Sequence, residues 1–279
     1  MTVNVCLRTR KGHAMQTISI VANVLLVWSI LTAPLVSFGN SAAAQSSTEI
    51  QLHYGDGFRI GRNANPPTFS NTTRRQITTL EHFSRFESGD LFFFVDFFRD
   101  LDDAPGTTGR TSNQYGEIYF HLSGRNLGLN LSDNTTLDLG FGLNQGTDFT
   151  VALVGPRLKF NAPGFRNLSL GLYGYHNVTD PFDRDLDTTY QATLIWDVPF
   201  EIGAHQFTTK GFVDFIGPQG SGVDNQIVFS PQLRWDLGNA LGQPANKFHL
   251  GVEYTRFVNK FGNSGVDEDA ISMFLAAKF

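Results

Sequence analysis

The last nine residues of the chain, Ile271 to Phe279, place an apolar side chain at every second position over their whole length. Counting back from the C-terminus, every second residue is apolar, whereas Lys278 and Ser272 fall on the opposite face. Successive side chains of a β-strand point to opposite faces. In water a fully apolar row would promote aggregation, but on the wall of a closed barrel in a membrane it is required. The segment therefore predicts a β-strand that faces lipid.

Similar segments of about ten residues, each followed by a turn or loop, recur from residue 45 onward, about twelve times in all. The clean outward rows carry no charged residue, which would cost about 2–4 kcal/mol at the membrane midplane. The clearest rows are Ile50, Leu52 and Tyr54; Leu91, Phe93, Val95 and Phe97; Ile118, Phe120 and Leu122; Leu168, Leu170 and Leu172; and Phe248, Leu250, Val252 and Tyr254. The pattern predicts an all-β fold, a transmembrane antiparallel β-barrel of about 12 strands.

Two segments fit the pattern less well. Residues 75–86 alternate poorly, and the segment from Phe149 to Phe160 is expected to change phase near Gly155-Pro156, where a β-bulge would fit. Long and short connections nevertheless alternate along most of the chain, which predicts an N-terminus on the periplasmic side.

Residues 1–44 have the character of a secretory signal peptide. Arg8, Arg10 and Lys11 precede an apolar stretch, and Ala42-Ala43-Ala44 offers a small-residue cleavage site. We expect a signal peptide over 1–44 and one barrel domain over 45–279. An uncleaved N-terminal anchor, and a start at Met15, remain open alternatives.

The composition of residues 45–279 limits the class of protein. They hold 18 basic and 26 acidic residues, a net charge of −8, and the only cysteine, Cys6, lies before them. A disulfide framework is thereby excluded, and the acidic balance argues against nucleic acid as a partner. No apolar run reaches the roughly 18 residues of a spanning helix. A soluble β-sandwich is the alternative, but the inward rows carry too many charges for a dry core. We therefore expect the outer membrane of a Gram-negative bacterium.

The inward rows bring aromatic rings and carboxylates together. Stacking on a flat heterocycle contributes about 1–3 kcal/mol per base, and carboxylates accept hydrogen bonds from sugar hydroxyls while disfavouring phosphorylated solutes. The expected solute-binding residues are Phe92, Phe94, Asp96, Phe98, Glu117, Tyr119, Phe212 and Asp214. The alternative interpretation is that these rings simply fill a narrow barrel.

Several segments resemble one known family. They are Thr79 to Phe83, Gly89 to Asp96, Gly116 to Ser123 and Gly211 to Phe215, together with the terminal Phe279. They are similar to the nucleoside-specific channel-forming porins, the Tsx family. The resemblance implies a twelve-stranded monomeric barrel that passes nucleosides by diffusion past lumenal aromatics, and in some members a receptor for phage or colicin. The external loops differ from those of the family.

Together these features predict an outer-membrane channel for passive diffusion of nucleosides or similar small solutes. The expected partners are outer-membrane lipid, nucleoside-like solutes and, through the strand that ends at Phe279, the barrel-assembly machinery. No nucleic acid polymer, cofactor, metal or enzymatic activity is expected.

Three other hypotheses remain at this stage. A lipid hydrolase could use the His-x-Ser motif of His121 and Ser123, although alternation turns both side chains into the lumen. A plugged structural or receptor barrel would show no conductance. The carboxylates between Asp180 and Asp187 could hold Ca²⁺.

Overall fold

The computed structural model describes residues 45–62, 68–102, 112–220 and 222–279, so the expected signal peptide lies outside the described residues. The chain forms thirteen β-strands in these ranges. They are β1 (Gln45–Arg62), β2 (Thr68–Phe86), β3 (Gly89–Asp100), β4 (Ser112–Leu122), β5 (Asn130–Ser132), β6 (Thr135–Gly146), β7 (Phe149–Phe160), β8 (Asn167–Thr179), β9 (Thr189–Ile202), β10 (His205–Ile216), β11 (Gln226–Asp236), β12 (Phe248–Val258) and β13 (Glu268–Lys278).

Twelve of these strands close into a ring. Each pairs antiparallel with its neighbours in sequence, β1 pairs with β13, and β4 pairs with β6 because the three-residue β5 contacts β6 alone. The expected fold is thus confirmed as a closed, twelve-stranded antiparallel β-barrel. We call the end where β1 begins and β13 ends the terminal end, and the opposite end the loop end.

The outer wall of the barrel is apolar, as the alternation predicts. In β13, Ile271, Met273 and Leu275 are 57%, 61% and 54% exposed, whereas Ser272 and Phe274 between them are buried inside. The same division holds in β1, where Leu52 is exposed and Gln51 is buried. An outer wall of this kind is stable only in lipid or detergent.

Two irregularities interrupt the register of β1 with β2, one between Gly55 and Phe58 and one between Ile60 and Arg62. Gly57, at the first of them, has a φ of 92°. A Cβ atom at Gly57 would come within 2.1 Å of the Asp269 carbonyl oxygen, so glycine is required for this close approach.

The expected change of phase in β7 is wrong. The pairing of β7 with β6 runs without a shift from Phe149 to Phe160, and its one irregularity with β8 lies at Thr150 and Val151. Val151, Leu153 and Arg157 all face inward and are at most 7% exposed. The prediction failed because it assumed that apolar residues of this strand would face lipid.

Helical structure in the described part of the chain is limited to short pieces. A four-residue helix, α1 (Leu237–Ala240), follows β11, and single 3₁₀ turns occur at Gly124–Leu127 and Lys260–Gly262.

Within the described residues, no helix has the length and apolar character needed to cross a membrane.

Candidate functional site

All eight predicted solute-binding residues lie on inward positions of β3, β4 and β10. Four come from β3 at alternate positions, two from β4 and two from β10, a strand on the other side of the ring. The arrangement therefore brings them into one lumen, as alternation predicts.

A row of aromatic rings runs from the middle of the lumen to the loop end. The ring centroids of Phe92 and Phe94 lie 6.2 Å apart, and those of Phe94 and Tyr115 lie 6.0 Å apart. Tyr115 is followed by Phe149 at 6.2 Å and Phe149 by Phe261 at 6.1 Å. We call these five rings the aromatic ladder. Sequence reasoning missed Tyr115, Phe149 and Phe261, although the inward position of Tyr115 could have been read from the alternation of β4.

The predicted carboxylates form a belt of hydrogen-bond acceptors at the same depth. Thr79 donates its hydroxyl to Asp96 at 2.6 Å and Thr193 donates to Asp214 at 2.6 Å. Tyr115 donates its hydroxyl to Glu117 at 2.5 Å. Each carboxylate keeps further acceptor capacity, because a carboxylate can accept about four hydrogen bonds.

Asn144 adds an acceptor beside this belt. It pairs with Glu117 across β4 and β6 and is 5% exposed, and its side-chain oxygen has no hydrogen-bond partner. A buried polar atom without a partner is costly, so its presence needs an explanation such as a ligand or ordered water.

Glycines lie beneath several inward-facing rings, and their lack of a side chain leaves space for those rings to lie flat against the wall. A Cβ atom at Gly142 would lie 2.6 Å from the ring of Tyr119, and one at Gly171 would lie 2.3 Å from the ring of Tyr173. The same holds at Gly140, beneath His121 and Tyr173. These glycines let bulky side chains lie along the wall instead of projecting into the bore.

One ion pair crosses the bore. The Lys210 ammonium of β10 lies 2.7 Å from a carboxylate oxygen of Glu81 on β2, five pairings away around the ring. Both side chains are about one-fifth exposed. The lumen is therefore narrow at this level.

A buried ionic cluster occupies the terminal end of the lumen. The Arg157 guanidinium lies 2.7 Å from Asp90 and 2.6 Å from Asp138, and both carboxylates are at most 4% exposed. His121 contacts Asp90 at 3.0 Å through Nδ1 and the Tyr173 hydroxyl at 3.1 Å through Nε2. Both nitrogens of His121 are thus engaged by groups other than Ser123, which is not the arrangement of a nucleophile and its base.

A second His-x-Ser motif, which sequence reasoning missed, lies on the outer wall near the terminal end. The Ser84 hydroxyl is 2.6 Å from Nε2 of His82, and the Thr48 hydroxyl is 2.8 Å from Nδ1. The three side chains share the face of the exposed Ile50. This network also explains why β2 alternates poorly, since its outer face carries polar residues.

The loop between β8 and β9 does not gather its carboxylates for Ca²⁺. The Asp180 carboxylate accepts hydrogen bonds from the Arg184 guanidinium at 2.8 and 2.9 Å and from two backbone N–H groups. Among the described residues, no group of three His, Cys, Asp or Glu side chains is placed to hold a metal ion.

No protein-family model matches this sequence, and no curated protein matches it either. Solved structures with a similar fold include an outer membrane channel from Pseudomonas putida F1, with a TM-score of 0.51 and 12% identity over 88% of this chain and all of that chain. They also include the KdgM porin, with a TM-score of 0.46 and 11% identity over 83% of this chain and 99% of that chain. The NanC porin has the same TM-score and identity over 83% of this chain and 100% of that chain. The likeness to the Pseudomonas putida channel shows that the chain has the fold of an outer-membrane channel.

Proposed function

We propose that the protein is a bacterial outer-membrane channel that passes small, flat, neutral solutes, with nucleosides as the solute class, by passive diffusion. The observation that carries the proposal is the aromatic ladder beside the acceptor belt inside a closed barrel. The resemblance of several segments to the Tsx family supports the same solute class. In this role the chain works as a monomer in lipid and needs neither a cofactor nor covalent chemistry.

The aromatic rings and the carboxylates would recognise different parts of a nucleoside. Base stacking tolerates different bases and contributes about 1–3 kcal/mol for each ring, so Phe92, Phe94 and Tyr119 would bind the heterocycle. Asp96, Glu117 and Asp214 would accept hydrogen bonds from the ribose, with the Asn144 oxygen as a fourth acceptor. The carboxylates would also repel anions such as nucleotides.

Phe98 and Phe212 are the remaining two of the eight proposed solute-binding residues. The Arg75 guanidinium lies 4.3 Å from the centre of the Phe98 ring, which holds that ring towards the loop end. Phe212 lies two residues from Asp214 on the inward face of β10.

The test is single-channel conductance of the refolded chain in a planar bilayer, with and without adenosine. We expect a small conductance that adenosine blocks saturably and that adenosine monophosphate blocks less. Replacing Phe94 and Phe98 with alanine should widen the bore and reduce the selectivity for adenosine. Phe97→Ala is the matched control, because Phe97 lies between them on the outer wall and is 47% exposed.

Each other outcome has a definite meaning. A conductance that is indifferent to adenosine would reject nucleosides and leave a channel for other solutes. No conductance from a correctly folded barrel would reject the channel and favour a plugged structural or receptor barrel, in line with the contact between Glu81 and Lys210.

A second candidate function is lipid hydrolysis on the outer wall, favoured by the contacts of Ser84, His82 and Thr48. A histidine that donates its Nδ1 proton to Thr48 can accept the Ser84 proton at Nε2 while the serine oxygen attacks an ester carbonyl. The alcohol would leave with that proton, and water would then hydrolyse the acyl-serine. A fluorophosphonate probe should label the wild type and the Ser46→Ala control but not Ser84→Ala. Absence of labelling and of fatty-acid release from phospholipid vesicles would reject this candidate.

A further inference from the structure

The connection between β12 and β13, residues 259–267, folds inward over the loop end of the barrel. Phe261 in this connection contacts Phe149 of β7, with ring centroids 6.1 Å apart. In the ring of strands, β7 lies six pairings from β13 in both directions, through β8 to β12 on one side and through β6, β4, β3, β2 and β1 on the other. Phe261 therefore reaches across the whole bore. We call residues 259–267 the strap.

The strap meets three other elements at its tip. The Phe261 ring lies 6.0 Å from Phe182, in the connection between β8 and β9, and 5.7 Å from Phe257 at the end of β12. Together with Phe149, these contacts place one ring of the strap among three rings from different parts of the mouth. Offset and edge-to-face ring contacts of this kind are favourable beyond the area they bury.

The base of the strap is held by ionic and backbone contacts. Lys260 is 8% exposed, and its ammonium group pairs with the Glu268 carboxylate. Burial lowers the pKa of Lys260 below its ordinary value, while the charge of Glu268 opposes that shift. The Lys260 N–H also donates to the Val266 carbonyl at 2.6 Å, and Asp224 donates its N–H to the Gly262 carbonyl at 3.0 Å.

The backbone of the strap adopts an unusual conformation to present Phe261. Asn259, Phe261 and Gly262 have φ values of 48°, 56° and 72°. A bulky aromatic residue rarely adopts a positive φ, and such a conformation persists only where the surroundings impose it. A Cβ atom at Gly262 would come within 2.3 Å of Val223, so the strap also fits closely against its neighbouring loop.

We propose that Phe261 is the size-selecting residue of the channel: the strap holds its ring across the loop-end mouth, as the outermost rung of the aromatic ladder, so that a solute must pass it to enter. This inference rests on the proposed channel function. A flat ring can slide past Phe261 into contact with Phe149 and Tyr115, whereas a bulky non-planar solute of the same mass is excluded. Selectivity by the dimensions and lining of a constriction is a general property of pores.

The first experiment compares single-channel conductance in the wild type, Phe261→Ala and Phe200→Ala. Phe200 is the matched control, because it lies on the outer wall of β9, where it stacks on Phe207. We expect Phe261→Ala to raise the conductance roughly twofold or more and to admit bulky solutes in a liposome-swelling assay, with no change for Phe200→Ala. Conductance in the wild type with no change in Phe261→Ala would overturn the inference but leave the channel intact.

A second variant tests the position of the strap by linking it covalently to β7 on the opposite side of the bore. The region from residue 45 onward has no cysteine, so Phe149→Cys/Phe261→Cys introduces the only two thiols. A direct disulfide needs Cβ atoms about 4 Å apart, so a reducible bifunctional thiosulfonate with a longer span is the better cross-linker. We expect cross-linking to lower the conductance and reduction to restore it.

The two proposals can fail separately in these experiments. Conductance in Phe261→Ala but not in the wild type would overturn both proposals, because Phe261 would then close the native barrel instead of selecting solutes by size. Unchanged conductance on cross-linking would overturn the strap, and no conductance in any folded variant would overturn the channel and the strap together.

Discussion

Two arcs of the lumen wall hold their inner side chains by different means. In the aromatic arc, formed by β4, β6, β7 and β8, the inner residues Val151, Leu153, Tyr173 and Tyr175 are at most 3% exposed and pack by contact. In the polar arc, formed by β11, β12, β13 and β1, the inner residues bond one another. Gln232 donates to Gln51 at 3.2 Å and to Glu253 at 2.6 Å.

The difference shows that one barrel interior can hold a packed apolar core on one side and a hydrogen-bonded polar surface on the other. Packing by contact depends on volume, so it is sensitive to any change of size. A hydrogen-bonded wall depends on pairing, so it is sensitive to the loss of one partner. The two arcs should therefore lose stability for different reasons and by different amounts when they are substituted, and three sets of variants can test this.

The largest effect is expected from Arg157→Met, at the terminal end of the aromatic arc. This substitution leaves the buried carboxylates of Asp90 and Asp138 without their shared cation, and breaking a buried ion pair costs about 3–5 kcal/mol. The measurement is the free energy of unfolding in a urea titration of the folded barrel in detergent.

Arg74→Met is the control for that experiment. Arg74 pairs with Asp102 at 2.7 Å, but its side chain is 51% exposed, so we expect a much smaller loss because water screens the pair. Equal losses for the two arginines would show that the cluster around Arg157 is solvated, and that packing alone stabilises the aromatic arc.

A somewhat smaller loss is expected from Leu153→Ala in the aromatic arc. Leu153 is 3% exposed, and removing a buried leucine side chain typically costs about 2–5 kcal/mol because a cavity remains. Leu172→Ala serves as the comparison, since Leu172 is 53% exposed on the outer wall, where lipid or detergent can fill the space. If the two variants lose equal stability in the same titration, the aromatic arc is not a packed core.

The smallest effect is expected in the polar arc, from Gln51→Leu. Gln51 is 1% exposed and lies 2.9 Å from Nε2 of His53, so its loss leaves buried partners unsatisfied at a cost of about 1–3 kcal/mol. Adding Gln232→Leu removes one of those partners. A double-mutant cycle should therefore show that the double variant loses less than the two single variants together. Strict additivity would contradict a bonded wall.

The alternation of apolar and polar residues correctly predicted the strands whose outer face must be apolar because it contacts lipid. In β13 the outward Ile271, Met273 and Leu275 were identified because a membrane accepts only apolar residues there. The inward residues of the candidate site followed from the same rule. Their placement on the inner wall is therefore a consequence of the strand period, not of any motif.

The same rule failed in β7, where the lumen itself is apolar. Val151 and Leu153 are apolar and yet face inward, so hydrophobicity does not distinguish the two faces of this strand. Contacts across the bore could not be predicted either. The contact of Phe149 with Phe261 depends on how the strands close into a barrel and how the loop between β12 and β13 folds. The local pattern of residues predicts neither.

The glycines beneath the lumenal rings imply that the width of the bore can be changed by substitutions in the wall behind those rings. A methyl group at Gly142 would come 2.6 Å from the ring of Tyr119, so that ring would have to tilt away from the wall. A substitution at a residue that no solute touches would thus narrow the bore. Evolution or design could retune passage through this barrel while leaving every side chain that meets the solute unchanged.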